Sequence, residues 1–218
     1  MMTIDNIKKQ IERYNKEGLK IFVTSSFQTH SIPLLHIIGQ IDNSIPIMFI
    51  NTGYLFPETL IFRDKIIKEL DLKLINITSS ISRIYQKDHL GNFLFTSDPD
   101  HCCFINKTQP MEPVLTEYDV WINGIRADQN ANRKNMKLEQ DAAFNCKRFH
   151  PILDWNNKMT FDYIKEHNLP KHPLDGKGYL SIGCEPCTRK YDLNDERSAR
   201  WFGMNKTECG LHTDLVDK

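Results

Sequence analysis

Short apolar runs that alternate with helical stretches constrain this chain more than any other feature of it. Lys20–Thr24 (KIFVT), Ile45–Ile50 (IPIMFI) and Leu72–Ile77 are too brief for helices, and their dense apolar content is that of strands buried on both faces. Between them lie Ile32–Ile41, which reads as an apolar helix, and Glu58–Leu70, an amphipathic one with Leu60, Ile61, Ile66, Ile67 and Leu70 apolar. Asp119–Ile122 (DVWI) reads as a fourth strand. The expected fold is α/β, a doubly wound and mostly parallel sheet. Ligands of such sheets sit beyond the carboxyl ends of the strands, where the strand order reverses. That directs attention to the connections Ser25–Ser31, Asn51–Pro57 and Asn123–Arg133.

Ahead of the first strand, Ile4, Ile7, Ile11 and Tyr14 recur at helical spacing in a polar stretch, unlike an export signal. Near the other end a short helix is expected around Thr160–His167, with Thr160 as its N-cap. Beyond Thr188 the chain is charged and weakly periodic. This divides the chain into an α/β domain, residues 1–190, and a mobile C-terminal arm, residues 191–218. Lys+Arg and Asp+Glu number 28 each, so no overall field favours nucleic acid or an anionic membrane. Apolar runs this short span no bilayer, and a cytoplasmic location is expected.

Six cysteines stand in a chain of this kind, where metal or redox chemistry is commoner than disulfides. Cys184-Glu185-Pro186-Cys187 is a C-x-x-C, which alone fits zinc, an iron–sulfur cluster or a redox pair. The chain offers one further pair, the adjacent Cys102 and Cys103. Neighbouring side chains diverge, which suits separate corners of a [4Fe–4S] cubane better than one tetrahedral ion. Ordinary buried cysteines are the alternative for that pair. Cys146 has no partner nearby in sequence and reads as a structural or surface residue. Cys209, between Glu208 and Gly210, lies in a tail with little apolar content, and Arg197, Arg200, Lys206 and His212 are close in sequence. Positive neighbours stabilise a thiolate, so Cys209 is the candidate nucleophile; the alternative is a disordered tail in which the cysteine is incidental. With no second cysteine in its tail, it would need an external thiol to release any group it accepts.

Ser25-Ser26-Phe27-Gln28-Thr29-His30-Ser31 joins the first strand to its helix and offers hydroxyls and N–H groups to an anion, or else forms a simple capped turn. It lacks the Gly-Lys of an ATPase P-loop. Lys107, Arg126, Arg133, Arg197 and Arg200 would suit a phosphosulfate if they converge.

Taken in order, these segments resemble the adenylyl-sulfate and phosphoadenylyl-sulfate reductases, in their cluster-bearing branch. The resemblance is carried by SSFQTHS (25–31), NTGYLFPET (51–59), CCFINKTQPM (102–111), WINGIRADQNANR (121–133), GYLSIGCEPCT (178–188), RSARW (197–201) and ECGLH (208–212). It implies a fold of the adenine-nucleotide α-hydrolase (PP-loop) type. It implies one [4Fe–4S] cluster on Cys102, Cys103, Cys184 and Cys187, and Cys209 as the residue that attacks the sulfur of adenylyl sulfate. An enzyme S-sulfocysteine and AMP would form, and thioredoxin or glutaredoxin would release sulfite. Ser25 and Ser26 match the loop that cradles the phosphosulfate; Lys107, Arg126, Arg197, Arg200 and His212 match positions that contact it. In the family the cluster shapes and polarises the site rather than passing electrons. Asn51 stands where Asp is usual and Asn106 where Arg is common. The partners implied exclude nucleic acid and membrane; self-association into a homo-oligomer is left open. Three rivals remain: the same chemistry on phosphoadenylyl sulfate, an ATP-dependent PP-loop nucleotidyl transferase as in tRNA thiolation, and a zinc-stabilised binding module.

Overall fold

A computed structural model describes residues 2–179, 181–190, 199–200, 210–213 and 215. Six strands form one sheet among them: β1 (Ile21–Thr24), β2 (Ile47–Ile50), β3 (Leu74–Ile77), β4 (Val120–Asn123), β5 (Glu139–Asp141) and β6 (Lys147–Phe149). Their order is β3-β2-β1-β4-β6-β5; every neighbouring pair is parallel except β5 with β6. The order reverses between β1 and β4, so a crevice opens beyond the ends of those two strands.

Alternation along each central strand builds two cores. Ile21, Val23, Ile47, Phe49, Val120 and Ile122 face one side. There they meet α1 (Ile4–Lys16), α2 (Ile32–Asp42), α3 (Pro57–Glu69) and α8 (Asn157–Glu166). Phe22, Met48 and Trp121 face the other side. That side is covered by Met111, Val114 and Leu115 of α6 (Gln109–Glu117), with Cys146 and Leu215. Buried on both faces, β1, β2 and β4 lack polar alternation, which is why they are legible in the sequence; β3, expected to be buried in the same way, lies at the sheet edge and is partly exposed, with Ile75 at 40 %. Cys146 is 1 % exposed and structural. No helix among the described residues is long and apolar enough to cross a membrane.

Three further parts of the fold differ from the sequence reading or escape it. The helix expected to begin at Thr160 begins at Asn157, capped by the Asn156 side chain, which accepts from Met159 N at 2.9 Å. Thr160 is buried inside the helix and donates to Asn156 O at 2.9 Å. Asn outranks Thr as an N-cap, and here it stands a turn earlier. The three-residue strands β5 and β6 carry no apolar pattern; β5 is wholly polar, as suits a sheet edge. The third part is one helical run made of α5 (Pro99–Cys103), a π-turn (Phe104–Thr108) and α6. Pro110 has no N–H for the Asn106 carbonyl, and its ring crowds that carbonyl; widening into a π-turn relieves both. The small helices α4 (Leu94–Ser97) and α7 (Ala131–Lys134) complete the set.

Two fully buried imidazoles tie loops to this frame. His150 Nδ1 donates to Lys137 O at 2.7 Å. His172 accepts from Leu174 N on Nδ1 and donates through Nε2 to Thr59 Oγ1 at 3.0 Å. Burial pushes both rings down to about 4, from an ordinary 6.5. The unfolded chain therefore binds protons between pH 6.5 and 4 that the folded chain refuses, and stability falls as pH falls through that window. The expected loss is on the order of a few kcal/mol. Urea midpoints from pH 7.5 to 4.5 check it; a flat profile contradicts it.

Candidate active site

A cavity of about 540 Å³ lies at the carboxyl ends of β1 and β4. The β1–α2 loop forms one wall. Ser25 Oγ accepts from Phe27 N at 3.1 Å, and Ser26 Oγ lies 3.1 Å from Ser31 Oγ. Phe27 is held at φ 53° with its ring buried edge-on to Phe49. A bulky residue at positive φ is strained by about 1–3 kcal/mol, and core packing of the ring offsets it. The loop thereby keeps its hydroxyls on the cavity side. Gln28 Oε1 accepts from Ile182 N at 2.8 Å and ties this wall to the segment that leads into Cys184.

The cations gather around the same space. Arg126 is 2 % exposed; its Nε donates to Asp128 at 3.0 Å and its Nη2 to Asn157. Its Nη1 is buried without a hydrogen-bond partner at the cavity wall. Asn123, which ends β4, is 2 % exposed, and both polar atoms of its amide are equally unpartnered. A buried donor left unpaired costs about 1–3 kcal/mol, so these groups mark where a polar ligand would be held. Lys107, Arg133, Arg200 and His212 line the same cavity. Arg200 reaches it because Thr188 and Arg200 pair as an antiparallel bridge and Ala199 O accepts from Arg189 N at 2.8 Å. Its guanidinium then lies across Gly183, where an added Cβ would stand 2.4 Å from Cζ. Of the cations singled out in the sequence, Lys107, Arg126, Arg133, Arg200 and His212 are thus brought together. Arg197 and the proposed nucleophile Cys209 lie outside the described residues.

Asn123 and His30 lie in segments singled out in the sequence, but neither has a role assigned there. A polar residue closing an apolar strand (VWIN) is the signal that would have found Asn123. His30 lines the cavity, and burial, then the neighbouring Arg126 charge, push it down to about 4; it enters as a neutral imidazole.

Beside this cavity is a smaller one lined by Cys102, Cys103, Cys184 and Cys187. The Asp98 side chain caps α5 through His101 N at 3.0 Å and starts the turn that carries the adjacent pair. Glu185 N donates to Tyr54 O at 2.7 Å and holds the C-x-x-C turn opposite. Each of three sulfurs has a polar neighbour: Asn106 Nδ2 donates to Cys102 Sγ and Lys107 Nζ to Cys103 Sγ, both at 3.6 Å, and Thr52 Oγ1 is 3.3 Å from Cys184 Sγ. Asn106 and Lys107 belong to the π-turn, which places them over the pair. Asn106, where the resembled family favours Arg, is 2 % exposed and exchanges two amide hydrogen bonds with Gln86, at 2.7 and 3.0 Å.

Burial first, and then the Cys103 and Cys184 thiols, push Cys102 up to about 12; Cys187 is raised by burial and Cys184. Thiolates packed side by side repel one another, and a cationic centre among them would relieve that. Among the described residues no group of three or more His, Cys, Asp or Glu side chains is placed to hold a metal ion. The four thiols come from two separate segments and three of them have polar neighbours, a donor set whose chemistry suits a thiolate-bound cluster. Lys107, Thr52 and Cys184 line both cavities and form the wall between them.

Residues 20–190 match the phosphoadenosine phosphosulfate reductase domain. An adenosine 5′-phosphosulfate reductase of Chelativorans sp. is 35 % identical over 94 % of this chain and 84 % of its own length. One from Rhodococcus erythropolis is 38 % identical over 82 % and 73 %. A phosphoadenosine 5′-phosphosulfate reductase of Gloeobacter violaceus is 36 % identical over 89 % and 83 %. Among solved structures, the phosphoadenylyl-sulfate reductase of Candida auris superposes with a TM-score of 0.65 at 21 % identity, over 84 % of this chain and 94 % of that one. An FMN adenylyltransferase of Candida glabrata gives 0.57 at 18 %, over 81 % and 60 %. At such identities the likeness is one of fold.

Proposed function

The chain belongs to the phosphoadenosine phosphosulfate reductase family, and from that membership we propose that it is an oxidoreductase that converts adenylyl sulfate to sulfite and AMP in sulfate assimilation. The observation that carries this reading is the buried Arg126 guanidinium with its Nη1 unpartnered at a cavity that Lys107, Arg200, Ser25 and Ser26 also line. Clustered forks and hydroxyls match the oxygens of a phosphosulfate.

The chemistry divides between the cavity and the arm. Lys107, Arg126 and Arg200 hold the charged oxygens, joined by His212 from the arm, and the Ser25–Ser26 loop backs the phosphate; a contact from Arg197 is taken from the family resemblance alone. The Cys209 thiolate attacks the sulfur, the sulfur–oxygen bond to the phosphate breaks, and AMP leaves with the electron pair. Cys209 is left carrying a sulfonate. A thiol of thioredoxin or glutaredoxin then attacks Cys209 Sγ, and sulfite leaves with the bonding pair. The second thiol of the reductant closes its own disulfide and frees the Cys209 thiolate. Sulfur gains two electrons, and the dithiol supplies them. Cys102, Cys103, Cys184 and Cys187 would hold one [4Fe–4S] cluster, which when bound polarises the site without passing electrons. Lys107, between the two cavities, would couple the cluster to the bound anion.

Anaerobic purification with iron and sulfide analysis, followed by sulfite release from adenylyl sulfate and from phosphoadenylyl sulfate, tests the reading. Preference for adenylyl sulfate supports it; sulfite only from phosphoadenylyl sulfate assigns the other substrate, and none from either refutes it. ATP-dependent adenylylation would favour a nucleotidyl transferase, and a colourless zinc protein would favour the binding module. Arg126→Met should lower kcat/KM by about 10²–10³-fold, the cost of removing one buried charge-assisted contact. Initial rates measure it, and loss of the Arg126–Asp128 ion pair predicts an accompanying fall in melting temperature.

A further inference from the structure

Arg148 on β6 is fully buried, yet it belongs to neither cavity. It is the register partner of Trp121 on β4, and its guanidinium lies over the Trp121 ring at 4.5 Å. Its remaining reach is toward the arm. Nη1 donates to Leu211 O at 3.4 Å and Nη2 to His212 Nδ1 at 2.7 Å. The His212 ring also lies near-parallel to Trp121, at 6.4 Å. Trp121 Nε1 in turn donates to Thr24 Oγ1 at 2.7 Å, at the residue before Ser25. A continuous set of contacts thus runs from the root of the anion loop, through Trp121 and Arg148, to the Gly210–His212 turn. Farther along the arm, Leu215 is buried in the second core and its carbonyl accepts from Ala143 N at 3.3 Å.

We propose that Arg148 is a positioning residue: it seats the Gly210–His212 turn on the sheet, fixes the His212 tautomer, and so sets where Cys209 arrives. An arginine only donates, so His212 Nδ1 must accept; a neutral His212 ring then carries its proton on Nε2. His212 lines the large cavity, where an Nε2–H is a donor suited to an anionic oxygen. Gly210 is the next residue after Cys209, one peptide unit of about 3.8 Å between Cα atoms, so whatever seats the turn also restricts the thiol. Misplacing a reacting atom by an ångström costs on the order of 10²-fold in rate. This inference rests on the assignment of Cys209 as nucleophile.

The test compares wild type with Arg148→Met and Arg148→Lys in single-turnover formation of the Cys209 sulfonate, followed by intact mass without reductant. AMP affinity is measured in parallel, since AMP binding needs no nucleophile. Arg148→Met should slow sulfonate formation by about 100-fold while AMP affinity changes less than about twofold. Arg148→Lys keeps one donor and should recover about tenfold of the loss. An unchanged rate, or AMP affinity falling in step with the rate, overturns the proposal. Should the variants fail to fold, nitrogen-15 shifts of the His212 imidazole in the wild-type protein decide: Nε2–H supports the proposal, Nδ1–H overturns it. A wild type that never acquires the sulfonate refutes the nucleophile assignment and the delivery role together.

Discussion

Cys209→Ser should abolish sulfite release, by about three orders of magnitude or more, while the protein keeps its fold, its iron and its affinity for AMP. A serine hydroxyl is a far weaker nucleophile than a thiolate at neutral pH, and no second cysteine lies in the arm to replace it. The wild-type protein, given adenylyl sulfate and no reductant, should gain the mass of one SO₃ group on this residue alone; the variant should gain none. Added dithiol should remove the group and release one sulfite per chain. Retained turnover in the variant, or the sulfonate found on another cysteine, would overturn the assignment.

Cys187→Ser should remove the proposed iron–sulfur centre and the activity together. Cys187 is the least buried of the four thiols in the small cavity, so its replacement perturbs packing least and reports on the metal most directly. The expected signs are loss of stoichiometric iron and sulfide, loss of the broad absorption near roughly 400 nm, and activity below about one hundredth of wild type. The melting temperature should fall as well, because a centre bound only by the folded chain stabilises it. Cys146→Ala is the control. That thiol sits in the second core away from both cavities, so the variant should lose about 1 kcal/mol of stability and keep its iron and its turnover. Full iron content in Cys187→Ser would remove this residue from the cluster.

How far each part could be read in advance follows from how local its cause is. Ile21–Val23, Ile47–Phe49 and Val120–Ile122 are apolar because both faces of the sheet are covered, a condition written into consecutive residues. Thr160 offers the same capping chemistry one turn after Asn156, and only the extended backbone at Asn156 (φ −116°, ψ 176°) places the cap there. β5 was invisible: Glu139, Gln140 and Asp141 form a strand because β6 lies beside them. Cys102 and Cys103 could be paired on paper with Cys184 and Cys187, but sequence separation says nothing of distance; the π-turn and the contact of Glu185 with Tyr54 bring the two segments together.

By itself the sequence determined which side chains are available: the four cysteines, Cys209, the cations, and strands apolar enough to be buried in a parallel sheet. Periodicity and composition are properties of neighbouring residues and survive without a fold. The tertiary structure alone decided that Arg126 keeps a donor unpaired beside Asn123, that Lys107 stands between two cavities, and that Arg148 holds His212. Those facts depend on burial and on contacts across more than sixty residues of chain, such as the 64 between Arg148 and His212. The placing of β6 beside β4 puts Arg148 within reach of His212, and no local pattern encodes that.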